Sequence, residues 1–260
     1  MTIKRYQIDA FADKIFAGNP AVVCPLEKWL PDALMQNIAM ENNLSETAFY
    51  VQEKEGWRIR WFTPTVEVDL CGHATLATAF VMFNHEGVLG NAISFQSRSG
   101  VLTVTKENDL HTLDFPADVI QKIEATPALQ CFEEKVVEIY KGKTDYLFVF
   151  DSEDSVRKCQ PNFPLVAKIG GRGAIITARG NQVDFVSRFF GPQAGVEEDP
   201  VTGSAHTTLT PFWAAKLGKS EFHAEQVSKR GGKLVCKLVG QRVKISGTAK
   251  LFSTVNIFLD

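Results

Sequence analysis

Glu46 stands where a carboxylate is least expected, within Asn43-Leu44-Ser45-Glu46-Thr47-Ala48-Phe49-Tyr50-Val51, at the mouth of a run that reads as a buried strand. An unpaired charge in an apolar setting costs several kcal/mol, so the residue calls for either a local or a chemical reason. The local reason is a capping box, since a polar residue three places before a Glu has that spacing. A capping box needs a helix to follow, whereas Thr47 to Val51 favours a strand. The chemical reason is proton transfer: desolvation lifts a carboxyl pKa towards the range in which the group takes a proton and gives it back.

Two further segments carry chemistry. Cys71-Gly72-His73-Ala74 follows the acidic turn Val66-Glu67-Val68-Asp69, and Thr202-Gly203-Ser204-Ala205 follows Val196-Glu197-Glu198-Asp199. Each opens a stretch of small and apolar residues, Gly72 to Phe83 and Gly203 to Leu217, that reads as a buried helix, the second with Pro211 as a kink. A helix start has unpaired N–H groups and a partial positive charge, and a glycine there lets a ligand approach the backbone. Gly72 and Gly203 are therefore expected to help cradle a small carboxylate. The alternative is that both glycines make tight turns and that Asp69, Asp199 and Ser204 are helix caps. His73 is either a core histidine with one satisfied hydrogen bond or, beside a cradle, a proton donor or substrate anchor. Cys71 raises a thiol mechanism. Racemases that use cysteines need one on each face of the stereocentre, and the counterpart of Cys71 is Thr202, so Cys71 reads as packing or as a helix-start thiol. His206 supports the second helix start or its core, and Gly170-Gly171-Arg172-Gly173 reads as a turn.

These residues need a scaffold, and the chain repeats one. Arg60-Trp61-Phe62-Thr63-Pro64 resembles Arg188-Phe189-Phe190-Gly191-Pro192, and Arg98-Ser99-Gly100-Val101-Leu102 resembles Arg230-Gly231-Gly232-Lys233-Leu234, in the same order and at a nearly constant offset. Two copies of one unit imply two pseudo-symmetric domains with a cleft between them. Boundaries of 1–117 and 118–260 are expected, with polar connectors around Gln121 to Glu134 and Lys141 to Asp145. Residues 3–11, 47–51, 57–62, 93–97, 101–105 and 110–115 read as strands, and Pro31 to Asn42 as a helix with Leu34, Ile38 and Ala39 on one face. An apolar helix among many strands in each half gives an α+β class, a barrel-like sheet wrapped around a central helix. The last segment, from Leu251 to Leu259, is expected to add a strand to either half.

Composition narrows the partners. Apolar residues make up 45% and charged residues 22% of 260, ordinary globular usage, and the net charge of −2 gives no basic excess for nucleic acid. No apolar run approaches a membrane span, and the N-terminus lacks a signal-peptide core, so a cytoplasmic protein is expected. Five scattered cysteines without CxxC spacing indicate neither disulfides nor a zinc site, and no nucleotide-binding glycine motif occurs.

Asp9-Ala10-Phe11, Gly18-Asn19-Pro20, Leu44-Ser45-Glu46-Thr47, Phe62-Thr63-Pro64, Glu67 to Thr75 and Glu198 to His206 together resemble the PhzF family of phenazine-biosynthesis-like proteins, over nearly the whole chain. The resemblance implies the diaminopimelate epimerase-like fold and a homodimer. It also implies isomerase activity without a metal or other cofactor: the family's phenazine enzyme isomerises trans-2,3-dihydro-3-hydroxyanthranilate by moving a proton along the ring. Its acid/base glutamate falls at Glu46, and its substrate-contacting histidine, aspartate and serine fall at His73, Asp199 and Ser204. The expectation is a cofactor-free isomerase of a small carboxylate. A one-thiol amino-acid racemase using Cys71 and a non-catalytic binding protein are the alternatives.

Overall fold

The computed structural model describes residues 1–126 and 129–259. The chain divides into two compact units, Met1–Asp114 joined by the segment from Ser246 onward, and Phe115–Ile245. The first unit begins β1 (Thr2–Ala10), β2 (Asn19–Leu26), α1 (Asp32–Asn42), β3 (Glu46–Glu53), β4 (Gly56–Phe62) and β5 (Glu67–Val68), and continues with α2 (Gly72–Asn84), β6 (Ala92–Ser97), β7 (Gly100–Glu107) and β8 (Leu110–Pro116). The second holds β9 (Gln121–Ile123), β10 (Val136–Lys141), β11 (Asp145–Phe150), α3 (Glu153–Lys158), α4 (Phe163–Val166), β12 (Gly173–Arg179), β13 (Phe185–Gly191) and β14 (Val196–Asp199), then α5 (Ala205–Leu217), β15 (Glu221–Gln226), β16 (Gly232–Val239) and β17 (Arg242–Gly247). The last strand, β18 (Ala249–Phe258), pairs antiparallel with β1, so the end of the chain groups with the first unit and not with 118–245. The segments expected as connectors fall inside the second unit, with 127 and 128 outside the described residues.

The duplication is visible strand by strand. In the first unit β1 runs antiparallel to β2, β2 parallel to β3, β3 antiparallel to β4, and β4 parallel to β6. In the second, β10 is antiparallel to β11, β11 parallel to β12, β12 antiparallel to β13, and β13 parallel to β15. The short acidic strands repeat too: Phe62 faces Glu67 across β4 and β5, and Phe189 faces Asp199 across β13 and β14. Arg60 grips Glu67 through two bonds of 2.7 and 2.8 Å and lies over Phe62; Arg188 grips Glu198 at 2.6 and 3.0 Å and lies over Phe190. The repeated Arg-x-Phe words are thus two copies of one bidentate ion pair that ties a short acidic strand to its neighbour. The class is α+β.

Burial follows from composition. Most of α2, from His73 through Ala79 with Val81 and Met82, is buried, and it packs against β1, β2, β3, β7 and β18, as expected of a sheet curled around a helix. Its alanines and threonines let the strands approach closely, and Thr75 and Thr78 return their hydroxyls to the helix carbonyls of Cys71 and Ala74. In the second unit Trp213 of α5 stacks on Phe185 at 5.8 Å and donates its indole N–H to Thr177. Pro211 lies inside α5 without ending it. On α1 the buried side chains are Met35, Ile38 and Ala39, with Leu34 only partly covered.

Gly18 fixes how β2 begins. Its φ is +69°, and a Cβ there would lie 2.2 Å from the Ala10 carbonyl oxygen. Gly18→Ala therefore meets both an unfavourable backbone region and a backbone clash. The expected loss is about 2 to 3 kcal/mol of stability, read as a lower denaturant midpoint with an unchanged slope.

Candidate active site

Glu46 is the first residue of β3, not a helix cap. Asn43 instead closes the C-terminus of α1, in the left-handed region at φ 48° and ψ 38°, and the chain turns directly into the strand. Parallel pairing sets Glu46 opposite Ala21 of β2, just beyond Asn19 at the start of that strand. The Glu46 side chain is 19% exposed, and its Oε2 lies 3.2 Å from Nε2 of His73, itself 7% exposed. The contact is off hydrogen-bond alignment.

The other ring nitrogen of His73 is also engaged. Its Nδ1 lies 3.3 Å from the Asn19 amide nitrogen and 3.6 Å from Sγ of Cys71. The imidazole therefore bridges a carboxylate on one side and a buried amide and thiol on the other. Burial works against the imidazolium, but the Cys71 sulfur and the Glu46 carboxylate outweigh it, holding the His73 pKa well above its usual 6.5. Burial, and next the Glu46 charge, push the Cys71 thiol up. Cys71 is the N-terminal flanking residue of α2 yet makes no side-chain cap, and α2 starts at Gly72 as expected. Glu46, Cys71 and His73 bring ligand-type atoms within 4.8 Å of one another, a donor set that also suits a cation. Opposite ring nitrogens face the two partners, so a single ion would use only one of them.

The second unit builds its set around the start of α5. Thr202 Oγ1 donates to Asp199 Oδ2 at 2.5 Å, Gln226 Nε2 donates to the Asp199 carbonyl at 2.7 Å, and the Thr202 N–H donates to Gln226 Oε1 at 2.8 Å. Asp199 is thus an orienting acceptor for Thr202. Ser204 flanks α5 without capping it, and its Oγ accepts a 2.6 Å bond from Arg172 Nη1. An accepting hydroxyl keeps its own O–H to donate. Arg172 is clamped by Asp145, through Nε to Oδ1 at 3.0 Å and through Nη2 to Oδ2. Gly203 supplies the carbonyl that accepts the His206 N–H at 3.0 Å, in the tight first turn. His206 donates from Nδ1 to the Thr202 carbonyl at 2.9 Å, and burial lowers its pKa to about 4, so it stays neutral.

Glu46 and His73 therefore meet in the first unit, and Asp199, Gly203 and Ser204 are gathered in the second. Three partners escaped sequence reasoning. Asn19 lies in the Gly18-Asn19-Pro20 motif, which was its signal; Arg172 lay within a glycine run read as a turn; nothing marked Gln226.

Comparison with known proteins agrees with this architecture. The family model described as phenazine biosynthesis-like protein, PhzC-PhzF, matches residues 8–254. An uncharacterised isomerase of Pseudomonas aeruginosa is 52% identical, over 100% of both chains. A crystal structure of a PhzF-family phenazine biosynthesis protein from Enterococcus faecalis superposes with a TM-score of 0.97 at 49% identity, again covering 100% of both chains. A hydroxyproline epimerase from Agrobacterium vitis, only 9% identical, shares the fold at a TM-score of 0.65, over 100% of this chain and 93% of that one. Among the described residues no helix is long and apolar enough to cross a membrane. With a family model spanning most of the chain and a full-length relative above half identity, the chain belongs to the PhzC-PhzF family of phenazine biosynthesis-like proteins, as an isomerase-type enzyme.

Proposed function

We propose that the enzyme moves a proton between carbons of a small carboxylate substrate, with Glu46 as the group that takes and returns it. The observation that carries this reading is the nearly dry Glu46 carboxylate 3.2 Å from a histidine held in place by Asn19. The His73 imidazole, with its pKa held above the usual value, stands beside the carboxylate that receives the proton. In the step, a substrate C–H bond breaks, its electron pair moves into an adjoining π system, and the proton passes to Glu46. The same carboxyl then protonates a different carbon, so no electrons are exchanged and no redox partner is required. His73 orients the substrate's amine or hydroxyl. Asp199, with the Gly72 and Gly203 backbones, belongs to the substrate-binding set, and Ser204 with Arg172 binds the carboxylate.

Ser204→Ala should weaken substrate binding by about tenfold, the scale of one hydrogen bond to a charged group. Isothermal titration of the variant checks it, and an unchanged affinity removes Ser204 from the set. Cys71→Ala separates proton transfer by Glu46 from racemisation by a thiol. Burial, and next the Glu46 charge, disfavour the Cys71 thiolate that a thiol mechanism needs, so turnover should persist in Cys71→Ala and vanish in Glu46→Gln. The opposite pattern would make Cys71 the base.

A further inference from the structure

The C-terminal part of α2 lines a recess of about 170 Å³, formed with β7, β8 and the start of β18. Its walls are Phe80, Leu251 and Ala249, its rim carries Lys106, Lys250, Asn84 and Asp109, and His111 lines its buried side. His111 is only 1% exposed, and among the described residues neither of its ring nitrogens has an aligned hydrogen-bond partner, although the Asp109 backbone lies near enough to favour its protonated form. Buried polar groups of this kind are rare and costly unless a ligand or water satisfies them. Phe80 and Phe83 pack on the ring at 5.6 and 6.0 Å, so it is held in position.

The charges around the ring are mixed, with lysines outnumbering the one lining carboxylate, Asp109. Lys106 is the cross-strand partner of His111 between β7 and β8, which puts both side chains on one face. Lys106 is held at 2.8 Å by the Asn84 amide oxygen, and among the described residues neither it nor Lys250 is in an ion pair. Two ammonium groups against the single rim carboxylate of Asp109 select an anion, and the apolar walls select one with a carbon body. The volume corresponds to about six waters, enough for a single small ring. We propose that this recess is a second binding site, separate from the Glu46 site, for a small organic carboxylate, with His111 as its buried hydrogen-bond donor and Lys106 and Lys250 as its cationic rim.

Sodium benzoate is the probe. With ring-nitrogen-labelled histidine, NMR should show a saturable shift of the His111 resonances, equally in wild type and in Glu46→Gln, where the proton-transfer site is altered. His111→Phe, which keeps the ring packing, should lower benzoate affinity about tenfold or more, as should the surface pair Lys106→Met with Lys250→Met, which keeps the proposal testable should the core variant fail to fold. No saturable shift at tens of millimolar benzoate overturns the proposal, as does binding indifferent to the lysine pair. Either result leaves proton exchange by Glu46 untouched, so the two readings fail separately.

Discussion

Glu46→Gln is expected to slow turnover by about 100- to 10,000-fold, the usual contribution of a positioned acid or base, while substrate affinity stays within about threefold because the shape of the site is kept. The same variant carries a second readout. The Glu46 carboxylate is one of the two neighbours that overcome the burial of His73. Once it is neutral, desolvation weighs more heavily, and the His73 pKa should fall, as followed by ring-proton NMR against pH. A lost rate with an unmoved His73 would mean that the 3.2 Å contact does not couple the two groups. A retained rate would remove Glu46 from the chemistry.

The second large effect is acid lability. Burial lowers the pKa of His111, in the first unit, and of His206, in the second, to about 4 in each case. A depressed histidine is neutral in the folded chain and takes up a proton on unfolding at any pH below its ordinary 6.5, so its contribution is complete above that value and is lost as pH falls towards 4. At 1.36 kcal/mol per pH unit, each unit should lose about 3 kcal/mol across that window. His73 acts with the opposite sign: its raised pKa gives stability that is complete below 6.5 and is lost as pH rises through the folded value. Stability should therefore peak near pH 6.5. Urea titrations from pH 4 to 8 test this, and His206→Gln should flatten the acid limb for the second unit. A stability that is level between pH 6.5 and 4 would show that these rings are hydrated.

Much of the fold was legible because the duplication writes the same ion pair twice. Arg60 and Arg188 recur before Glu67 and Glu198 since each must pin a short acidic strand, and repeated words of that kind survive in sequence. Helices α2 and α5 were readable from small apolar residues on every side. Glu46 was readable because a carboxylate opening an apolar strand violates local preference. The departure of the last strand was not readable in detail: its pairing with β1 depends on register across the length of the chain, and nothing in Leu251 to Leu259 names a partner. Arg172 was hidden for a different reason. Glycines on either side of it fit a turn, and only the fold brings Asp145 and Ser204 to its two faces. Asn19 was visible as part of a motif, but its contact with His73 arises from the start of β2 meeting the start of α2.

The most direct test is deuterium wash-in from heavy water. A panel of small cyclic and acyclic amino acids, incubated with the enzyme and read by mass spectrometry and NMR, should include a carboxylate that gains deuterium at carbon with wild type and Cys71→Ala but not with Glu46→Gln. Incorporation that continues undiminished without the Glu46 carboxylate would contradict the account.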